Sequence, residues 1–140
     1  MTIREATIED LERIAALFGQ LGYAAQPERI GQQLRTLIDS GSGQAFVAEA
    51  GGVPVGVAVV HLMQPIHVDA AWALLSALVV DEAQRGSGVG AQLLAAAERF
   101  AAERGCAQLE LSSSATRTRA HRFYEQNGYR EKRLRFLKTW

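Results

Sequence analysis

The chain has 140 residues, of which 48% are hydrophobic and 21% charged, the balance of one globular domain able to fold alone. Fifteen basic and fifteen acidic side chains cancel, with a pI near 6.8, so no net field draws the protein to nucleic acid or to an anionic membrane. The longest apolar run, 70–80, is about half the roughly 20 residues of a membrane-spanning helix.

Residues 2–6 read as a short first strand. Thr7 followed by Asp10 resembles a capping box, and Ile8, Leu11, Ile14, Ala15 and Phe18 form the helical stripe behind it. Pro27 suits a first helical residue, and Ile30, Leu34, Leu37 and Ile38 mark a second helix that ends at Gly41-Ser42-Gly43. Strands 44–50 and 53–63 flank a Gly51-Gly52 turn and form a hairpin. A loop over 64–71 leads into the apolar strand 72–80. The stretch 84–91 is rich in glycine, and after it Val89, Leu93, Ala97, Phe100 and Ala101 repeat at helical spacing until Gly105. Residues 107–112 form another strand, 113–118 a polar connection, and 119–126 a shorter helix stopped by Asn127-Gly128. Residues 129–140 alternate apolar and basic side chains and are expected to supply one or two last strands. Cys106 is the single cysteine, which precludes an intrachain disulfide and points to a reducing cytoplasm; it reads as a small buried hydrophobe. The N-terminus lacks the basic head and apolar region of a secretory signal. The order βααβββαβαβ(β) defines an α/β (α+β) fold, a mixed sheet with helices on its faces, with 1–140 as one domain.

A strand, a glycine-rich turn and a helix opening in that turn make an anion site, because unpaired N–H groups of the first helical turn point outward. Three phosphate-binding patterns compete for it. A P-loop needs a Gly-Lys-Ser/Thr sequence, and the turn has no lysine. Gly86-x-Gly88-x-x-Ala91 matches the dinucleotide fingerprint as written, with Glu110 about 20 residues on. In that fold, however, the first glycine follows the strand directly, whereas 81–85 intervene here, and too little chain remains for the further βα units.

The third pattern accommodates both flanks. Arg85-x-x-Gly88-x-Gly90, after the strand Leu78-Val79-Val80-Asp81, resembles the pyrophosphate loop of the GNAT superfamily of acetyl-CoA-dependent N-acetyltransferases. Ala120-x-x-Phe123-Tyr124-x-x-x-Gly128-Tyr129 is similar to a second landmark of that family, in the right order and about 30 residues downstream. The resemblance spans essentially the whole chain and implies a mainly antiparallel central sheet with helices on both faces. It further implies that acetyl-CoA is the co-substrate, with no metal. Its pyrophosphate would sit on the backbone of Arg85, Gly86, Ser87, Gly88, Val89, Gly90 and Ala91, and its pantetheine arm would pair with Leu78, Val79 and Val80.

Tyr124 stands where the family carries its general acid, and a phenol with an ordinary pKa near 10 can donate a proton to a thiolate. Asn127 suits a helix cap better than a cofactor contact. The general base stays unassigned. Strand 72–80 has no carboxylate or histidine, where many relatives place a glutamate; Ser76 is its only polar side chain and too weak a base unaided. Glu110, His61, His67, Asp69 and His121 are the candidates, beside a water chain to solvent. The expected reaction is direct acetyl transfer in a ternary complex to a primary amine, either a small molecule or a peptide amine, with no nucleic acid or membrane partner; a homodimer is allowed. The rival is a non-catalytic acyl-CoA-binding module with the same fold.

Overall fold

Two strand edges and two helical layers define the architecture of the computed structural model, which describes residues 1–113, 118–132 and 135–140. In chain order the elements are β1 (Thr2–Glu5), α1 (Leu11–Gln20), α2 (Pro27–Asp39), β2 (Gly43–Ala50), β3 (Val53–Met63), β4 (Ala71–Val80), α3 (Val89–Glu103), β5 (Cys106–Leu111) and α4 (Thr118–Gln126). Single 3-10 turns at Ile8–Asp10 and Glu82–Gln84 lead into α1 and the glycine stretch. The sheet runs β1-β2-β3-β4-β5, antiparallel throughout except for the β4–β5 pair, which is parallel. The crossover through α3 makes that last pair parallel, as a helix between two strands does.

The sheet buries both faces. On one, Ala58, Val60, Ala73 and Leu75 pack with Leu93, Leu94 and Ala97 of α3. On the other, Val47, Val57 and Val79 pack with Ile14 and Leu17 of α1, and α2 closes over them through Ile30 and Leu34. Full burial of side chains such as Leu17 and Leu93 contributes about 1.5–3 kcal/mol each. The entry to α1 is fixed by polar groups. The Thr7 amide donates to Asp10 at 2.8 Å and Thr7 Oγ1 accepts from Glu9, the reciprocal box read from the sequence. Asp10, only 4% exposed, also takes two hydrogen bonds from Arg4, which reaches on to Glu49. The Arg4 guanidinium therefore holds the Asp10 carboxyl below the usual carboxylate range.

Two features of β4 position everything that follows. It pairs with β5 only from Ala71 to Leu75, then runs on to Val80 with β3 on one side and, among the described residues, no strand on the other. Opposite β3 its register slips: Ala77 pairs with Val59 and Leu75 with Val60, so Ser76 is a bulged residue with no partner position. Before the bulge, Ala73 and Leu75 face α3; after it, Ala77 and Val79 face α1 and α2. The bulge thus turns Ser76 and Ala77 to the same face of the sheet.

Among the described residues of 129–140, the expected strands do not form: 129–132 and 135–140 carry no strand. Phe136, Leu137 and Trp140 are 97%, 88% and 100% exposed. Alternation states which side chains a strand would bury, but a strand forms only against a neighbour that accepts its backbone hydrogen bonds. Arg133 and Leu134 of that stretch, and most of the polar connection 113–118, lie outside the described residues. Among the described residues no helix is long and apolar enough to cross a membrane.

Candidate active site

The glycine loop is suspended from α1 and β3. Arg13 on α1 pairs with Asp81, and its Nε donates to the Pro54 carbonyl at 2.8 Å. The Asp81 amide donates to the Val55 carbonyl, while its carboxylate caps the following turn by accepting from the Ala83 amide at 3.1 Å. That backbone hydrogen bond first, and then Arg13, hold the Asp81 carboxyl below its ordinary range. Gln20 accepts from the Glu82 amide, a second tether from α1. The polar lead-in 81–85 is therefore an anchor, a role the sequence did not disclose because Arg13 lies 68 positions away.

Gly86 and Gly88 both sit at φ +85, a conformation L side chains rarely adopt, and Gly88 is the residue that opens α3. A Cβ at either would meet no atom within 4 Å, so the backbone conformation, not crowding, requires glycine there. No side chain among the described residues caps α3. The first helical hydrogen bond runs from the Gln92 amide to the Gly88 carbonyl, which leaves the N–H groups of Val89, Gly90 and Ala91 without helical acceptors. Ser87 instead donates its hydroxyl to the Gln84 carbonyl and tightens the turn, while Arg85 is exposed. Converging amides at the positive end of a 15-residue helix fit a pyrophosphate.

Gly90 has a second role. A Cβ there would lie 3.3 Å from Phe123 Cζ and 3.7 Å from Val80 Cγ2, so the missing side chain lets the Phe123 ring pack on the start of α3. Leu78, Val79 and Val80 occupy the part of β4 that β5 has left, and α4 lies beside it. Asn127 caps α4 by donating from Nδ2 to the Phe123 carbonyl at 2.8 Å, and Gly128, at φ +91, ends the helix. The Tyr129 hydroxyl donates to Glu98 of α3 at 2.6 Å; burial, then this carboxylate, raise the pKa of that phenol. Tyr129 was read as the start of a strand; it ties α4 to α3 instead. Tyr124, half-buried, stacks edge-on against Phe123 and Tyr129, at 5.2 and 6.0 Å between ring centroids.

A cavity of about 840 Å³ opens on the other face, between α1, α2 and the sheet. Ile14, Phe18, Val57 and Val59 give it apolar walls, while Gln32, Gln33 and Thr36 of α2 and Ser40 just beyond it supply uncharged polar groups. Arg29 is the one charged side chain in its lining among the described residues, and no carboxylate lines it. At the sheet, His61 Nε2 and Ser76 Oγ lie 2.7 Å apart. Burial lowers the His61 pKa below the ordinary 6.5.

The base candidates read from the sequence are thereby separated. His61 and Ser76 meet in the cavity wall. Glu110 is exposed on β5 and takes a hydrogen bond from Gln108 at 3.4 Å. His67 stacks edge-on against Trp72 in the β3–β4 loop, Asp69 is exposed in the same loop, and His121 is half-buried on α4. None of these four lines the cavity. The strand-four bulge had no sequence signal, since its run of apolar residues carries no glycine and no polar break except Ser76 itself.

An anion cradle at a helix start, a free strand edge beside it and a cavity across the sheet suit a phosphate-bearing cofactor and a second, smaller ligand. Residues 8–129 match the model of the acetyltransferase (GNAT) family. The chain is 34% identical, over 98% of its own length and 90% of the relative's, to an aminoalkylphosphonate N-acetyltransferase of Salmonella typhimurium. In three dimensions it is similar to a Bacillus halodurans protein described as a transcriptional regulator, at TM-score 0.87, 27% identity and 99% coverage of both chains. An aminoglycoside N-acetyltransferase solved with CoA shares the fold at TM-score 0.82 and 23% identity, with 99% of each chain covered. The chain belongs to the GNAT acetyltransferase family. It is an enzyme that moves an acetyl group from acetyl-CoA to an amine.

Proposed function

We propose that this N-acetyltransferase acts on a small primary amine that also carries an anionic group, of the aminoalkylphosphonate type. The charge of the cavity is the observation that carries this reading: Arg29 is its single charged lining residue, and no carboxylate faces it among the described residues. A polycationic amine would enter without a counter-charge, whereas an acceptor with one anionic end has the Arg29 guanidinium to pair with. The relative that acetylates aminoalkylphosphonates fits the same reading.

Acetyl-CoA supplies the reactive thioester when bound. The amides from Arg85 through Gly86, Ser87, Gly88, Val89 and Gly90 to Ala91 hold its pyrophosphate, and the open edge of β4 at Leu78, Val79 and Val80 takes its amide-bearing arm. Tyr124 holds the proton that the departing sulfur needs. Transfer is direct, in a ternary complex, since the donor edge at 78–80 follows directly on the Ser76 and Ala77 that line the acceptor cavity, and positioning of this kind lowers the barrier by several kcal/mol. The whole chain works as one domain, and its lone, half-buried Cys106 suits a reducing cytoplasm. Mixing protein, acetyl-CoA and a panel of amines while following thiol release tests the reading. Aminoalkylphosphonates and similar anionic amines should be turned over with a kcat/KM at least ~10-fold above that of aminoglycosides; the reverse order would overturn it.

A further inference from the structure

We propose that Ser76 and His61 form the proton-accepting pair of this enzyme: the bulged serine receives the acceptor's ammonium and passes a proton to the imidazole. The inference rests on the acetyl transfer described above, and its residues come from three independent facts of geometry.

The first is the bulge. Ser76 lies on the cavity face, opposite Leu75, and the bulge falls on it at the point where β4 parts from β5, so its hydroxyl stands between the acceptor cavity and the free edge that takes the donor. The second is the contact. The Ser76 hydroxyl has two acceptors within reach, His61 Nε2 at 2.7 Å and the Val59 carbonyl at 3.5 Å. In the tautomer that carries its hydrogen on Nδ1, Ser76 donates to Nε2, and this is the form the relay uses. An Nε2 that accepts a hydrogen bond is an Nε2 with a free lone pair. The third is the surroundings. Around the pair α1 presents Ile14 and Phe18, β2 presents Ala45, and β4 adds Ala77, none of them titratable. Arg29 of α2 is the one charged group facing the cavity among the described residues, and it cannot accept a proton. Burial in the same setting lowers the His61 pKa below its ordinary value.

The protons balance. An amine enters as an ammonium with three N–H protons. One passes to Ser76 Oγ as the serine gives its own to His61 Nε2, leaving a neutral amine and an imidazolium; the imidazolium returns its proton to water at the cavity mouth. The nitrogen lone pair forms the new C–N bond as the C–S bond breaks. A second N–H proton leaves the nitrogen when the amide forms and offsets the one that Tyr124 gives to sulfur. Ser76 alone is too weak a base, and His61 supplies what it lacks.

The measurement is kcat/KM for the acceptor against pH, by thiol release, in the wild type, His61→Gln and Ser76→Ala. In the wild type the acid limb should fall at a pKa below 6.5. His61→Gln keeps a hydrogen-bonding side chain but accepts no proton, so only acceptor already neutral in solution can react. Its acid limb should move up toward the amine's own pKa, near 10 for a lysine-like amine. The loss at pH 7 should be about 10²–10³-fold and should vanish near pH 10. Ser76→Ala should show the same movement with a smaller loss, and it serves if His61→Gln does not fold. Both should bind acetyl-CoA as the wild type does by calorimetry. A loss that is uniform across pH, or an acid limb that stays in place, overturns the proposal. If anionic amines prove inert and another amine is turned over, the same profile on that amine decides the proton path while the substrate reading falls. Wild-type protein that releases no thiol with any amine overturns both.

Discussion

The proposed donor side and the proposed acceptor side of this enzyme are built from different materials. The donor side consists mainly of backbone: amides at the start of α3, the unpaired edge of β4 and two glycines at positive φ. The acceptor side consists of side chains brought together from α1, α2, β2, β3 and β4, with His61 and Ser76 15 positions apart and Arg29 more than 30 from both. Backbone sites tolerate changes in most side chains and depend on conformation. Side-chain sites depend on a few atoms and can be respecified one residue at a time. One fold can therefore keep its donor while its relatives differ in what they acetylate.

Substitutions at the two sides should fail in different ways. The largest effect is expected for Gly88→Val. A β-branched residue at φ +85 distorts the turn and withdraws the first-turn amides of α3, so acetyl-CoA affinity by calorimetry should fall at least ~100-fold. Normal binding by that variant would mean the donor sits elsewhere. Next comes Tyr124→Phe, which should reduce kcat about 10²-fold and leave acetyl-CoA affinity nearly unchanged; an unaltered kcat would remove Tyr124 from the chemistry. On the acceptor side, Arg29→Gln should raise KM for an anionic amine about 10-fold with little change in kcat, and should not affect acetyl-CoA. An equal rise with an uncharged amine would show that Arg29 shapes the cavity rather than reading charge.

The smallest effect is assigned to Asp81, which links the two sides through Arg13. Its folded pKa is depressed, so its contribution is complete above the ordinary value of 3.8 and is lost as pH falls through the lower folded value. At pH 7 Asp81→Asn should keep the cap on Ala83 in part and weaken acetyl-CoA binding only a few-fold. The wild type should lose affinity below about pH 4, and the variant should show a flatter acid response. A steeper one would assign the acid sensitivity to another group, such as the buried Asp10, whose depressed pKa has the same sign.

Much of the fold was legible because its signals are local. The Thr7–Asp10 box, Pro27 at the head of α2, the Gly51-Gly52 hairpin and the helical stripe after Gly88 each act within a few residues. The tail was misread for the complementary reason: alternation over 129–140 is a local pattern, but a strand is a relation to a neighbour. Tyr129 shows the difference in one residue, since its strand-like context gave no hint of Glu98 some thirty positions earlier.

For the site, the sequence by itself determined the glycine turn and the helix start proposed to hold the donor, because glycine φ and a helix start are written in consecutive residues. It also placed Phe123-Tyr124 on a helix closed by Asn127-Gly128. Only the tertiary structure decided what lies across the sheet. A register slip of one residue opposite Val59 and Val60 turned Ser76 and Ala77 to the same face, and it set Ser76 against His61 beside the cavity that Arg29 guards. Such a slip arises from the pairing of two strands, and neither strand alone encodes it.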